Sequence, residues 1–113
     1  MSAITTHVLD TALGRPAEGV SVTLEVEGAG GWQLVSKGET NGDGRISDLV
    51  PETLFLSAGV YRLIFDTGAY FDSRQVTSFY PQISVVFKFD SPGQHYHVPL
   101  LLSPFGYSTY RGS

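Results

Sequence analysis

The stretch VSVTLEVEG, residues 20–28, is the clearest structural signal in the chain, because apolar and polar side chains alternate along it. The apolar positions are Val20, Val22, Leu24 and Val26. Successive side chains of a β-strand point to opposite faces, so this period of two predicts a strand with one buried face and one solvent-facing face.

The same period recurs in further segments that are rich in β-branched and aromatic residues. We predict strands at 7–12, 32–37, 59–66, 83–89, 95–102 and 106–112, with a short strand near 45–49 as the eighth. Turn sequences separate them, including GRPAEG at 14–19 and NGDG at 41–44. Only residues 66–81 break the alternation, and their early part predicts a short helix with Thr67 as its cap. This pattern predicts an all-β antiparallel β-sandwich that forms a single domain, residues 1–113.

The composition excludes several classes of function. The 113 residues carry a formal net charge of −4 and contain no cysteine. The lack of cysteine excludes disulfides, thiolate metal ligands and a cysteine nucleophile. The lack of a basic stripe argues against nucleic acid or an anionic membrane as a partner. We find neither a signal-peptide pattern nor an apolar run of about 18 residues, and we therefore expect a cytoplasmic protein.

The segment HYHVPLL, residues 95–101, places two histidines two residues apart. In a strand, His95, His97 and Pro99 share one face, and a proline that cannot donate to the sheet predicts an edge, a bulge or a groove. Pairing of strands would bring His7 alongside. Three imidazoles fit a Zn²⁺ site, a metal-free site with one general base and one acid, or ordinary satisfied polar residues. Their spacing alone does not separate these interpretations.

The segment NGDGR, residues 41–45, partly matches a calcium-binding loop that starts at Glu39. The match fails at Val50, where such a loop needs a bidentate glutamate. The segment is better interpreted as a tight turn whose glycines adopt positive φ and which places Arg45 at the start of the next strand. Arg45 is then either a solvated surface residue or a clamp for an anion or oxyanion.

Three segments resemble motifs of the transthyretin-like family of 5-hydroxyisourate hydrolases. They are THVLDTALGRPAEGV at 6–20, TNGDGRI at 40–46 and HYHVPLLLSPFGYSTYRGS at 95–113, and the terminal YRGS distinguishes these enzymes from the hormone carrier transthyretin. The resemblance implies two four-stranded sheets with one short helix, in a homotetramer whose active sites lie at the dimer–dimer interface. It also implies that 5-hydroxyisourate is hydrolysed to 2-oxo-4-hydroxy-4-carboxy-5-ureidoimidazoline, on the route from urate to (S)-allantoin, without a cofactor.

The resemblance further implies which residues form the site. They are His7, Arg45 and His97 as catalytic residues; His7, Arg45 and Tyr110 as substrate-binding residues; His95, Arg111 and Ser113 as supporting residues; and none as a metal ligand. In this interpretation the two catalytic histidines activate water and protonate the leaving nitrogen, in roles that the sequence leaves open, and Arg45 stabilises the oxyanion. A hormone carrier is the competing interpretation, and the polar residue set disfavours it.

Overall fold

The computed structural model describes residues 3–112 and folds them into two four-stranded sheets with one short helix. The elements are β1 (Ile4–Asp10), β2 (Arg15–Pro16), β3 (Ser21–Gly28), β4 (Gly31–Glu39), β5 (Gly59–Phe65), α1 (Thr67–Ser73), β6 (Ile83–Phe89), β7 (Tyr96–Ser103) and β8 (Gly106–Thr109). The first sheet has the strand order β2-β1-β7-β8 and the second β4-β3-β5-β6. The predicted sandwich is therefore confirmed.

The core lies between the inner faces of the two sheets. The apolar positions of VSVTLEVEG behave as predicted, since Val22 and Leu24 are buried. Leu100 and Leu102 of β7 contribute buried side chains from the first sheet. Burying one such side chain contributes about 1.5–3 kcal/mol relative to leaving it exposed. The inner faces thus hold the sandwich together, and the outer faces are free to carry polar groups.

The pairing of β1 with β7 is parallel, which differs from the all-antiparallel arrangement that we predicted. In its register Thr5 lies opposite His97 and His7 lies opposite Pro99. Alternation along a strand is the same in parallel and antiparallel pairs, so the sequence pattern does not distinguish them. A site built on both strands depends on this register.

The eighth strand is not the predicted one at 45–49. Residues Arg15–Pro16, which we had placed in a turn, pair with the end of β1 and form the edge strand β2. Pro16 is tolerated there because an edge strand needs fewer ladder donors. Arg45 instead forms a single antiparallel bridge with His7.

The C-terminal strand is shorter than the predicted 106–112, since β8 ends at Thr109. Pro99 lies on β7, which is an inner strand of the sheet and not an edge. Because proline has no N–H, Pro99 cannot donate a hydrogen bond to the residue after Thr109, which would otherwise pair with it. The chain rejoins the sheet at Gly112, whose N–H donates to the His97 carbonyl at 2.8 Å. The C-terminal segment is therefore held against β7.

The predicted short helix is confirmed, but its cap is not Thr67. The Asp66 side chain accepts a hydrogen bond from the Ala69 N–H, and Thr67 is the buried first residue of the helix. Aspartate is a strong N-cap residue because its carboxylate satisfies a free N–H of the first turn. Within residues 3–112, no helix has the length and apolar character needed to cross a membrane.

A buried carboxylate joins the helix to the first sheet. Asp10, at the end of β1, is only 2% exposed. It accepts hydrogen bonds from the Tyr70 hydroxyl at 2.8 Å and from the N–H groups of Ala12 and Leu13 at 3.0 and 3.1 Å. Burial, and then the hydrogen bond to Asp10, raise the pKa of Tyr70 to about 12, so its hydroxyl stays protonated and donates. The contact therefore ties α1, which follows the second sheet, to the first.

We expect Tyr70→Phe to lower the free energy of unfolding by about 1.5–3 kcal/mol, because it removes one hydrogen bond to a buried charged acceptor. The measurement is urea unfolding at a fixed protein concentration. Tyr107→Phe is the matched control, since Tyr107 is 43% exposed. Equal destabilisation by the two substitutions would show that the Asp10 contact contributes nothing.

Candidate active site

The side chains of Thr5, His7 and His97 form a polar row on the outer face of the first sheet. Burial alternates along β1 so that Thr5 and His7 are partly exposed between buried neighbours. His97 is partly exposed in the same way on β7. Because the parallel register aligns the two strands, Thr5 lies beside His97, and His7 lies two residue pairs further along, opposite Pro99. The predicted proximity of His7 to the HYH motif is confirmed, with a threonine directly beside the second histidine.

The NGDG turn packs on β1 and brings Arg45 beside His7. The Val8 N–H donates to the Gly44 carbonyl at 2.8 Å, and the Gly44 N–H donates to the Asn41 carbonyl at 2.9 Å. Gly44 has φ +74°, and a Cβ there would collide with the Val8 carbonyl oxygen. It is the one glycine of the turn with positive φ, although we predicted positive φ for both. Glycine at this position lets the turn approach β1 closely enough for Arg45 to bridge to His7.

The His97 ring is held on both sides. Its Nδ1 lies 2.8 Å from the Thr5 hydroxyl oxygen. On the opposite side, a Cβ added to Gly112 would lie 2.5 Å from the His97 Cδ2. Nδ1 and Cδ2 flank the ring carbon nearest the backbone, so the remaining atoms, Cε1 and Nε2, form the outer tip of the ring. The ring therefore presents Nε2 to the open face of the sheet.

The surroundings of His97 favour its neutral form. Burial lowers the pKa of His97 below the usual 6.5, and the nearby charges of Arg45, His95 and His7 lower it further. A neutral imidazole at neutral pH is the form that accepts a proton from water. The same Arg45 cation is suited to stabilising negative charge on a substrate. His97 and Arg45 thus combine a group suited to act as a base with a group suited to stabilise an anion.

Two other expected site residues lie elsewhere in this chain. Tyr110 and Arg111 line a cavity of about 340 Å³ together with Phe87 of β6 and Tyr96 of β7, and its lining includes none of the three histidines. The Arg111 guanidinium stacks 4.2 Å from the centre of the Tyr96 ring. The structure therefore does not place Tyr110 in the histidine row. Ser113, an expected supporting residue, lies outside the described residues.

His95, which we expected to be a supporting residue, lies beside His97 and Thr5. Its ring is stacked with that of His97 at 6.4 Å between centroids, and its Nε2 lies 3.0 Å from the Thr5 hydroxyl oxygen. Across residues 3–112, no group of three or more His, Cys, Asp or Glu side chains is arranged to hold a metal ion. Thr5 and Gly112 are contacts of the site that we did not identify from the sequence. The alternation of ITTHVLD puts Thr5 on the face of His7, which is the one signal that points to it.

Known proteins resemble this chain along nearly its whole length. The model of the HIUase/Transthyretin family matches residues 4–112. The chain belongs to this family. A 5-hydroxyisourate hydrolase from Salmonella typhimurium is 49% identical over 110 residues, which are 97% of this chain and 80% of that protein.

Similar solved structures include transthyretins and a 5-hydroxyisourate hydrolase. Transthyretin from Sparus aurata has a TM-score of 0.92 and 36% identity, with 99% of this chain and 97% of that chain covered. The 5-hydroxyisourate hydrolase from Klebsiella pneumoniae has a TM-score of 0.86 and 39% identity, with coverage of 99% and 100%. A sea bream transthyretin has also been solved in complex with thyroxine. Because members with different functions share the fold, the side chains of the site must distinguish between them.

The shifted pKa of His97 is directly testable. We expect the His97 ring to titrate below 6.5, and Arg45→Gln to raise its pKa because a neighbouring positive charge is removed. The pKa should stay below 6.5 in that variant, because the contribution of burial, which is the largest cause, remains. The measurement is an NMR titration of the ring protons.

Arg62→Gln is the matched control for this titration, since Arg62 pairs with Glu25 on the second sheet. It should leave the His97 titration unchanged. An unchanged His97 pKa in Arg45→Gln would contradict the described position of the Arg45 charge.

Proposed function

We propose that this family member hydrolyses 5-hydroxyisourate and that His7, Arg45 and His97 carry the reaction. The observation on which the proposal rests is the row on the first sheet, in which a partly buried imidazole of lowered pKa lies within the influence of an arginine cation. The 49% identity to a protein named 5-hydroxyisourate hydrolase supports the same substrate. The residues and the chemistry support each other, since the hydrolysis needs a base and a group that stabilises an oxyanion.

The reaction opens a ring by adding water to an acyl carbon next to a ring nitrogen. In our proposal His97 Nε2 takes a proton from the water while the oxygen bonds to the acyl carbon. Negative charge then develops on the acyl oxygen, where the Arg45 guanidinium stabilises it. The carbon–nitrogen bond breaks as His7 delivers a proton to the departing nitrogen. Ring opening thus creates a carboxyl group and a ureido group. The product that carries both is 2-oxo-4-hydroxy-4-carboxy-5-ureidoimidazoline, on the route to (S)-allantoin.

The lowered pKa of His97 is the reason for giving it the role of base. A base must be unprotonated at the working pH, and burial and neighbouring charges both favour that state for His97. His7 bridges to Arg45 and lies on the same face, so it is within the same site and takes the role of acid. No cofactor takes part in this scheme, because side chains transfer both protons and stabilise the oxyanion.

A second copy of the chain completes the site in this proposal. The row lies on the outer face of a sheet. A single face forms only one wall of an active site and does not exclude water from it. Leu101 lies on the same face as His97, partly exposed beside buried Leu100 and Leu102. Apolar surface next to a polar row fits an interface, and we propose the homotetramer with active sites between dimers. The role of Tyr110 in binding substrate, the supporting role of Arg111, and the cytoplasmic location stay predictions.

A carrier of hydrophobic hormone is the second candidate, because the TM-score to transthyretin is 0.92. The row disfavours it. An apolar ligand would bury the Arg45 charge and the His7 and His97 rings without hydrogen-bond partners, at a cost of several kcal/mol for a charge.

We expect His97→Asn and Arg45→Ala each to reduce turnover by about 100-fold or more, since each removes a base or an oxyanion-stabilising group. The assay generates 5-hydroxyisourate from urate with urate oxidase and follows the decay of its absorbance above the uncatalysed rate. Arg62→Ala, on the second sheet, is the control and should keep wild-type turnover. Near-wild-type turnover of either site variant would rule out the assigned role.

The same preparations distinguish the alternatives. Turnover should survive exhaustive chelation, whereas a loss that Zn²⁺ restores would favour a metal site. Tight binding of thyroxine without hydrolysis would favour the carrier.

The proposed assembly makes a separate prediction. Leu101→Lys should reduce the mass of the assembly in sedimentation and lower turnover at the same time, because a buried charge without a partner destabilises an interface. Leu34→Lys is the control on the second sheet, where Leu34 is 59% exposed. If Leu101→Lys leaves both quantities unchanged, the outer face of the first sheet is not an interface.

A further inference from the structure

The Thr5 hydroxyl lies between two imidazoles. Its oxygen is 2.8 Å from His97 Nδ1 and 3.0 Å from His95 Nε2. A hydroxyl group has a single hydrogen to donate but can accept as well. At most one ring can therefore accept a hydrogen bond from Thr5, and at least one ring must donate to it. The tautomers of the two rings are linked through this hydroxyl.

Both rings can donate to the hydroxyl oxygen, which has two lone pairs, or one ring can donate and the other accept. The latter case allows two arrangements when the rings are neutral. In one, His97 donates its Nδ1–H to Thr5, and Thr5 donates to His95 Nε2. In the other, His95 donates its Nε2–H to Thr5, and Thr5 donates to His97 Nδ1. The second arrangement leaves the His97 proton on Nε2, so this nitrogen, which faces the open side of the sheet, has no lone pair for a proton.

We propose that Thr5 is a positioning residue that accepts from His97 Nδ1–H and donates to His95 Nε2, so that His97 Nε2 faces the outer surface as a free base. The catalytic consequence rests on the proposed function. The constraint on the tautomers does not, since the two distances allow at most one of the rings to accept a hydrogen bond from Thr5. His95 acts through Thr5: by accepting its hydrogen, it sets the direction of the chain of hydrogen bonds.

This arrangement also suits the charged form of His97. When Nε2 takes a proton from water, Nδ1 keeps its hydrogen and still donates to Thr5. The hydrogen bond is therefore present before and after proton transfer, and it becomes stronger because the donor is then charged. No ring has to flip during the reaction, and a Cβ at Gly112 would collide with the His97 Cδ2, so only glycine fits against that side of the ring.

The direct test is the ¹⁵N shift pattern of the histidine rings at a pH where they are neutral. In the wild type we expect His97 to carry its proton on Nδ1 and His95 to have a bare Nε2. Thr5→Val removes the hydroxyl and keeps the shape of the side chain, so His97 should shift to a mixture of tautomers. Thr5→Ser should restore the wild-type pattern.

Kinetics provide the second readout. Thr5→Val should lower kcat about 10- to 100-fold, the usual range for loss of a group that orients a functional histidine, while KM changes little. Thr5→Ser should recover most of that loss. His95→Leu removes the acceptor and should resemble Thr5→Val, whereas His95→Gln offers an amide oxygen in its place and should recover part of the activity.

The proposal is overturned if wild-type His97 carries its proton on Nε2, or if wild-type His95 does, and neither measurement needs a variant to fold. It is also overturned if Thr5→Val keeps the wild-type kcat, or if it raises KM alone. Should the wild type fail to hydrolyse 5-hydroxyisourate, the proposed function fails, and the tautomer pattern still decides the role of Thr5.

Discussion

The parallel pairing of β1 with β7 is the constraint on which the site depends. The two strands lie about ninety residues apart in the chain, as the separation of Thr5 from His95 shows. Their register puts Thr5 opposite His97 and His7 opposite Pro99. A slip of one residue would move these polar side chains to the core face and bring buried apolar residues out. The same hydrophobic alternation that stabilises the sandwich therefore also fixes the geometry of the polar row.

Two glycines flank this pair of strands and bring further chain segments against it. Gly44 lets the turn before Arg45 approach β1, and Gly112 lets the C-terminal segment approach the His97 ring. In both positions a Cβ would collide with a neighbour that belongs to the site or its strand. The missing N–H of Pro99 explains why the C-terminal segment leaves the sheet after Thr109 and returns at Gly112. The site is thus assembled from four segments: the two central strands β1 and β7, the turn before Arg45 and the C-terminal segment.

Period and turn chemistry predicted most of the fold, but not its long-range pairing. The alternation in residues 20–28 correctly identified a strand and its buried face, because burial depends on the local pattern. The direction of β7 against β1 depends on contacts distant in sequence, and the position of Thr5 in the site depends on that direction. The edge strand at Arg15–Pro16 was missed because a proline and a charged residue are typical of turns as well as of protected edges. The short stretch near Arg45 was wrongly predicted to be a strand. Residues that form a single bridge have the same local sequence pattern as the first residues of a paired strand.

The separation of the two faces of the first sheet also explains how one fold occurs both in a hydrolase and in a transthyretin that binds thyroxine. Stability rests on the inner face, where Leu100 and Leu102 are fully buried. In the proposed function, the reaction takes place on the outer face of the same strands, where His97 is partly exposed between buried neighbours. Because the two faces alternate residue by residue, substitutions at His7, Thr5 or His97 change the site without altering the buried row. Polar side chains on the outer face suit the proposed hydrolysis, apolar side chains there would suit an apolar ligand, and the sandwich beneath needs no change for either.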